Sequence, residues 1–307
     1  MTQPLAEAAD ARAEATPRAR PIPATGAKAL IVFNEKAGSV SAGDREKLVA
    51  AVTAAGVEDY TVVAASRMSK KLLARAKGFD VLVVLGGDGT ARAAAELAPR
   101  DGPPLVLLPG GTLNILPKAL YGDLDWPDAL TAALDRGVIK RLTAGRADGR
   151  PFYVAALFGA PTLLARAREA VRDGRFAKAW DRFRVFLRRA FNRSLRARPD
   201  REPARRAEGI GVLCPAFSGG IEAEHLEWVR LDAAHILDLT RLGVRAITAG
   251  WRRDPTVEIT PCRSGDIVSL GAIPATLDGE PVTFLSRVRI SYDPSGPRVI
   301  ALKPDAA

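Results

Sequence analysis

The amino-acid sequence predicts an α/β fold of two domains, in which a layered domain with a parallel sheet precedes a β-rich, antiparallel, sandwich-like domain. Three observations lead to this prediction. The chain has 307 residues, which suits two domains of ordinary size. Short apolar runs alternate with amphipathic stretches up to about residue 137. From there on, short β-type runs follow one another and are separated by turns.

The first part of the chain reads as strands alternating with helices, which is typical of a parallel sheet covered on both faces. Apolar runs predict strands at 29–33, 60–64, 81–85 and 105–108. Amphipathic stretches predict helices at 41–55, 70–77, 90–98, 113–121 and 126–136. Ser41 with Asp44, and Asp125 with Pro127, are the expected signals for the start of the first and last of these helices.

The second part reads as β-structure. Asp148-Gly149 lies between predicted strands at 138–146 and 151–157, and this pair is a strong hairpin signal. Further strands are predicted at 209–214, 256–260, 267–270, 282–285 and 287–292. We therefore expect a disordered tail at 1–28, an α/β domain at 29–137 and a β-rich domain at 138–307, whose last strand is a candidate to return to the first domain.

The composition is that of a soluble globular protein, with 47% hydrophobic and 26% charged residues. Every apolar run is broken within about ten residues, whereas a membrane-spanning helix needs about 20. The N-terminal stretch lacks the apolar centre of a secretory signal, and its acidic residues argue against an organelle transit peptide. Cys214 and Cys262 belong to no metal-binding motif, so we expect a cytoplasmic protein without structural zinc.

The net charge of +10 comes from one segment, Arg166 to Arg206, which holds fifteen basic and five acidic residues. Within it, an apolar stripe runs at helical spacing from Phe176 to Phe191. A basic amphipathic helix suits adsorption to an anionic membrane surface. The alternative is that the apolar stripe packs on the β-rich domain and that the arginines are only solvated. Packing of the stripe and membrane contact by the arginines are compatible with each other. Because no DNA- or RNA-binding module accompanies the charge, we expect peripheral membrane association and no nucleic-acid partner.

Glycine-rich turns follow three of the predicted strands: 34–39 (NEKAGS), 86–90 (GGDGT) and 109–114 (PGGTLN). The carboxyl ends of parallel strands face one crevice, where open α/β sheets bind ligands. Glycine lets the backbone come close to an anion, and the N–H groups at a helix start favour phosphate. Together the turns predict a nucleoside triphosphate site, in which the Asp88 carboxylate indicates a bridging divalent metal. Neither a P-loop nor a GxGxxG fingerprint occurs.

GGDGT after a hydrophobic strand, with PGGTLN about twenty residues on, resembles the diacylglycerol kinase catalytic domain, which bacterial lipid kinases share with sphingosine and ceramide kinases. The loop at 34–39 is similar to that family's first nucleotide loop. Asp278-Gly279-Glu280 matches its Asp-Gly-Glu motif, and the segment from Gly250 to Val257 also resembles the family. The resemblance spans residue 29 to about residue 303. GGDGT alone is shared with NAD kinases and resembles the phosphofructokinase loop.

The resemblance implies a kinase that uses ATP and Mg²⁺ and transfers the γ-phosphate to a hydroxyl of diacylglycerol or a related lipid. Asp278 would then be the general base at the lipid hydroxyl, with Glu280 beside it as hydrogen-bond support or candidate metal ligand. Asp88 would hold the metal through water. Phosphoryl transfer requires these parts: positioning, a metal and one carboxylate near the attacking oxygen. The residues expected to contact ATP are Asn34, Gly38, Ser39, Ser66, Gly86, Gly87, Asp88, Gly89, Thr90, Gly110, Gly111, Thr112 and Asn114.

Three features depart from the family pattern. Glu35 replaces a proline, and Ile115 follows Asn114 where an aspartate is usual, so that one acidic contact is missing. Phe158-Gly159 stands where a Gly-Phe pair is expected in the substrate domain. The acceptor lipid does not follow from the resemblance. The alternative for Asp278-Gly279 is a plain β-turn. The alternative enzyme is an NAD kinase, with Asp88 at the acceptor hydroxyl, and the alternative of another class is a non-catalytic nucleic-acid-binding protein. A homodimer is left open.

Overall fold

The computed structural model describes residues 21–22, 25–41, 43–112, 114–159, 195–215, 223–231 and 257–303. Most of the predicted tail, the apolar stripe of the basic segment and most of the segment from Gly250 to Val257 lie outside these residues. Among the described helices, none is long and apolar enough to cross a membrane.

A mixed six-stranded sheet forms the first layer. Its strands are β1 (Ala27–Phe33), β2 (Val57–Ala64), β3 (Val81–Gly86), β4 (Leu105–Pro109), β5 (Val138–Arg141) and β18 (Arg298–Ala301). They lie in the order β2-β1-β3-β4-β18-β5. The first four strands are parallel to their neighbours, β18 is parallel to β4, and β5 runs antiparallel to β18. The last strand of the chain therefore lies inside the first sheet.

Five α-helices accompany this sheet: α1 (Asp44–Ala54), α2 (Lys70–Arg75), α3 (Asp88–Leu97), α4 (Ile115–Tyr121) and α5 (Trp126–Arg136). The observed bounds of α5 are those that the sequence predicts. Asp125 caps the helix by accepting a hydrogen bond from Asp128 N–H, and Pro127 lies in the first turn. The predicted start of α1 at Ser41 is wrong. The helix begins at Asp44, whose Oδ2 accepts the Ser41 N–H at 2.7 Å, so Ser41 lies before the helix as a donor.

Two antiparallel sheets form the rest of the described chain. The second sheet contains β6 (Ala144–Ala147), β7 (Arg150–Phe152), β9 (Leu195–Pro199), β10 (Arg205–Ala207), β14 (Ser264–Val268) and β17 (Arg287–Asp293). The third sheet contains β8 (Ala155–Gly159), β11 (Gly209–Leu213), β12 (Leu226–Leu231), β13 (Val257–Cys262), β15 (Ile273–Leu277) and β16 (Glu280–Phe284). One apolar core, which includes Phe152, Phe158 and Trp228, contains buried residues from both sheets. The predicted α/β fold with a β-rich second part is confirmed.

Several predicted strands differ in extent from the structure. The single strand predicted at 138–146 is two strands in different sheets, because the chain crosses from one sheet to the other at Leu142 and Thr143. Leu142 N–H donates to Pro297 O at 2.9 Å and its side chain is fully buried, so the crossing point is part of the core. The Asp148-Gly149 hairpin is confirmed, with φ values of +46° and +81° between β6 and β7.

Candidate active site

The loops that follow β1, β3 and β4 are joined by hydrogen bonds. Asn34 Nδ2 donates to Thr90 Oγ1 at 2.8 Å, which connects the first loop to the start of α3. Ser39 N–H donates to Gly110 O at 3.0 Å, and Ser39 Oγ donates to Gly111 O at 2.8 Å. The three glycine-rich turns therefore form one crevice at the carboxyl edge of the sheet. The crevice lies beside β1 and β3, the neighbouring strands between which the strand order changes direction.

Close approach between these loops explains most of their glycines. A Cβ on Gly111 would lie 2.7 Å from Gly87 Cα, and a Cβ on Gly110 would lie 3.1 Å from Gly86 Cα. Gly89 differs, because it is exposed in the first turn of α3 and a Cβ there would meet no atom within 4 Å. Alanine stabilises a helix interior by about 1 kcal/mol relative to glycine. The described contacts therefore do not require glycine at 89, whereas an anion close to the helix start would.

Asn114 fixes the turn after β4. Its φ is +52°, its Oδ1 accepts Gly111 N–H at 2.7 Å, and its Nδ2 donates to Gly111 O at 2.8 Å. Asparagine is one of the few residues that tolerate this left-handed conformation. Across the crevice, a Cβ on Gly38 would lie 3.3 Å from Thr112 Oγ1. Asn114 thus shapes the loop through the hydrogen bonds of its side chain with the backbone of Gly111.

Asp88 is the first residue of α3 and the only carboxylate in the GGDGT turn. Its Oδ1 accepts a long hydrogen bond of 3.4 Å from Leu116 N–H. No cluster of three or more metal-ligating side chains occurs among the described residues. One carboxylate at the start of a helix, where N–H groups favour phosphate, suits Mg²⁺, which keeps several waters and takes its other ligands from phosphate oxygens. The residues present therefore fit a metal held by ATP and, through water, by Asp88.

Asp278 occupies the turn between β15 and β16 and is nearly buried, with 6% of its side chain exposed. Its Oδ1 accepts the N–H groups of Val154 and Ala155 at 2.9 and 3.0 Å, and its Oδ2 accepts that of Tyr153 at 2.9 Å. Burial raises the pKa of the carboxyl above its ordinary value, while these hydrogen bonds and Arg92 act in the opposite direction. The β-turn and the predicted functional carboxylate are thus one feature, with Asp278 at φ +49° and Gly279 at φ +86°.

Arg92 connects the GGDGT helix to the Asp-Gly-Glu turn. Its Nη1 contacts Glu280 Oε2 at 2.5 Å, and its Nε lies 3.7 Å from Asp278 Oδ2. Nε is buried and makes no hydrogen bond to the described part of the chain. Glu280 is 67% exposed and is held by Arg92, so as a metal ligand it would have to leave this ion pair.

The sequence did not single out Arg92, although it lies two residues after Thr90. The signal was weak, because one arginine on an alanine-rich helix is ordinary. Ser66 follows β2 at the same edge of the sheet and is exposed, and no hydrogen bond among the described contacts connects it to the three loops. The remaining predicted ATP contacts lie in the crevice, while Asp278 and Glu280 lie beside Arg92 on α3.

Residues 28–147 match the family model of the diacylglycerol kinase catalytic domain. A solved structure described as a diacylglycerol kinase from Bacillus anthracis aligns with 14% identity and a TM-score of 0.64, covering 91% of this chain and 98% of that chain. An NAD kinase from Archaeoglobus fulgidus in complex with ATP aligns with 13% identity and a TM-score of 0.52, covering 90% of this chain and 94% of that chain. At these identities the structural likeness shows the fold.

A yeast NADH kinase complexed with NADH has the same TM-score of 0.52 and 13% identity, covering 94% of this chain and 88% of that chain. The predicted resemblance is confirmed by the family match and by these neighbours, which include both lipid-type and NAD-type kinases. Residues 28–147 therefore match the diacylglycerol kinase catalytic domain, and the chain has a two-domain fold similar to that of these diacylglycerol kinase and NAD kinase structures.

Proposed function

We propose that the protein is an ATP-dependent kinase that phosphorylates a hydroxyl of diacylglycerol or a related lipid. The observation that supports this best is the Arg92 contact with Asp278 and Glu280. It connects the helix that opens at the glycine-rich turn to a nearly buried carboxylate of the other part of the molecule. A kinase has to bring together a phosphate site and a carboxylate near the acceptor oxygen.

In this proposal the three loops hold the phosphates of ATP, and Gly89 leaves room for them at the start of α3. Asp278 takes the proton from the acceptor hydroxyl. Its Oδ1 already accepts two N–H groups, so Oδ2, which accepts one, is the oxygen with capacity to act. A pKa raised by burial suits a general base, because base catalysis is most effective when the pKa is close to the working pH. Mg²⁺, when bound, would offset the charge of the transferring phosphate.

The test is transfer of labelled phosphate from ATP to a panel that contains diacylglycerol, a sphingoid base, phosphatidylglycerol and NAD. We expect label in a lipid and none in NAD. Diacylglycerol as the main product would name the acceptor, and another lipid would keep the reaction class while changing the acceptor. The absence of any labelled lipid, with a folded protein that binds ATP, would contradict the proposal.

An NAD kinase is the second candidate, favoured by the two NAD-type neighbours. In that case the acceptor hydroxyl would lie at Asp88, and the turn Asp278-Gly279-Glu280 would have no role in catalysis. The two candidates separate in one comparison of variants. A lipid kinase loses activity with Asp278→Asn, whereas an NAD kinase loses it with Asp88→Asn and keeps it with Asp278→Asn.

A further inference from the structure

Two leucines protrude at one end of the second sheet. Leu270 is fully exposed and Leu285 is 85% exposed. Val268 pairs with Arg287 in the β14–β17 ladder, and the ladder continues with a 2.8 Å hydrogen bond from Ser269 N–H to Ser286 O. Leu270 follows Ser269 directly and Leu285 precedes Ser286 directly, so both leucines lie next to this hydrogen-bonded pair. We call these two residues the leucine tip.

Arginines lie on one face of the second sheet, in rows that begin two residues along the chain from each leucine of the tip. Strand pairing aligns one row across four strands, and this row contains Arg206, Arg196, Val268 and Arg287. The next row contains Arg198, Asp266 and Arg289. All five arginines are exposed. We call these five arginines, with Asp266, the basic face.

The five arginines of the basic face outnumber its single carboxylate, Asp266, so the face has a net positive charge. Arg198 and Arg287 both bind Asp266, at 3.0 and 2.8 Å, and the hydrogen bond from Arg287 is the main cause that lowers the pKa of Asp266. Arg196, Arg206 and Arg289 form no ion pair with the described carboxylates. An exposed apolar end next to exposed arginines that have no described carboxylate partner is the pattern of an interfacial anchor, in which apolar groups enter the bilayer boundary and basic groups lie at the phosphates.

We propose that the leucine tip and the basic face dock the protein on an anionic lipid bilayer. The charge of the face is complementary to anionic head groups, and two exposed leucines gain by leaving water. A nucleic acid fits less well, because its phosphates give the leucines no apolar partner. A symmetric second copy also fits less well, since a two-fold contact would place each basic face against another.

This surface differs from the amphipathic helix that the sequence predicted. It consists of strands, and two of its strands, β14 and β17, lie outside the segment from Arg166 to Arg206. It is also separate from the candidate active site. β15 begins three residues after Leu270 and ends just before Asp278, so a five-residue strand about 15 Å long separates the tip from the proposed base.

Vesicle flotation of the full chain without ATP tests docking independently of catalysis. One set of vesicles is phosphatidylcholine alone, and the other also contains phosphatidylglycerol. We expect the parent to float with the second set only, and less so as salt is added. Leu270→Gln/Leu285→Gln and Arg196→Gln/Arg206→Gln should each weaken flotation about tenfold or more. Arg45→Gln/Arg100→Gln removes the same charge from the first domain and should float like the parent.

A second measurement reports insertion directly. Cys214 and Cys262 are buried, so an environment-sensitive dye can be attached selectively to Leu270→Cys. We expect a blue shift with phosphatidylglycerol vesicles, and none for the same dye on Arg45→Cys. Docking is wrong if the dye does not respond and the leucine variant floats like the parent. Loss of RNA binding or of a dimer in these variants, with flotation unchanged, would assign the surface to a nucleic acid or to a second copy instead.

Discussion

At the scale of the residue, Asp278 combines a left-handed backbone conformation with a nearly buried carboxylate. Its φ of +49° lies in the left-handed region, where aspartate and asparagine are tolerated better than most residues. Its carboxylate is nearly buried and accepts three backbone N–H groups. A carboxylate held in this way is already oriented, and a proton acceptor has to be oriented to act on a bound hydroxyl.

Asp278→Asn should lower turnover by a factor on the order of 10² to 10⁴, which is the usual effect of removing a general base. The backbone conformation should survive, and ATP affinity should change little because the loops at 34–39, 86–90 and 109–114 are untouched. Turnover is measured with the acceptor found in the panel, and ATP affinity by calorimetric titration.

The same variant should also be less stable. An amide has one acceptor oxygen and one donor nitrogen, so it cannot accept all three N–H groups, and an unsatisfied buried donor costs about 1–3 kcal/mol. Thermal unfolding therefore accompanies the kinetic assay and establishes the temperature at which the variant is folded. Turnover within a few fold of the parent at that temperature would remove Asp278 from the mechanism.

Arg92→Gln should move the acidic limb of the activity profile to higher pH. The positive charge of Arg92 lowers the pKa of Asp278, and its removal leaves burial, which raises that pKa, less opposed. A general base acts when ionised, so activity rises as pH passes through its pKa, and a higher pKa shifts this rise upward. The measurement is kcat/KM against pH, with Arg100→Gln as a control that removes a distant arginine. An unmoved limb would contradict the assignment of the limb to Asp278.

At the scale of the element, the glycines of the crevice formed by the three loops divide into two kinds. Gly111 is required by the protein, because a Cβ there would lie 2.7 Å from Gly87 Cα. Gly89 is not required by any described neighbour. The two positions therefore allow a matched comparison, in which the same added methyl group meets protein in one variant and the proposed ligand in the other.

Gly89→Ala should leave the protein as stable as the parent, or more stable by up to about 1 kcal/mol, because alanine favours the helix. Its ATP affinity should fall, because the methyl group occupies the space next to the phosphates. Gly111→Ala should unfold at a lower temperature, since the two loops must separate. Calorimetry with ATP and thermal unfolding decide the matter. Undiminished ATP affinity in Gly89→Ala would place the phosphates away from the start of α3.

Elements with strong local signals could be predicted from the sequence. The buried strand β3 is a run of valine and leucine before a glycine turn, and α5 has a capping aspartate and a proline at its start. Strand β9 was not predicted, because Leu195–Pro199 alternates leucine, alanine and proline with arginine inside the segment from Arg166 to Arg206, which was interpreted by its charge. Its period-2 burial becomes visible only when β14 and β10 pair with it.

The candidate site shows the same division. Its loops were predictable because each lies directly after an apolar strand, so that glycine content and location after a strand point to the same site. The contact of Arg92 with Asp278 and Glu280 was not predictable, because it depends on how α3 meets a turn far along the chain. Such a pairing is fixed by tertiary packing, which leaves no local pattern around Arg92 in the sequence.

At the scale of the whole molecule, the chain returns to its first sheet before it ends. β18 lies between β4 and β5, and Val299 and Ile300 are fully buried in the first core. The chain leaves the first sheet at Leu142, whose N–H donates a hydrogen bond to Pro297 O just before β18. The segment that matches the family model ends at residue 147 and does not include β18. The matched segment therefore lacks one strand of its own sheet.

Accordingly, a fragment of residues 25–147 should not fold cooperatively. Without β18 the hydrogen-bonding edge of β4 is unpaired, β5 loses its partner, and an unprotected apolar edge strand promotes aggregation. Residues 295–303, attached to this fragment through a flexible Gly/Ser linker, should restore a cooperative thermal transition, because Arg298–Ala301 supplies both missing ladders. The matched control carries Val299→Asp and Ile300→Asp in the attached segment and should stay unfolded, since two charges cannot enter the core. Cooperative unfolding of the bare fragment, measured by circular dichroism, would show that β18 is dispensable and that the first sheet is stable with β4 at its edge.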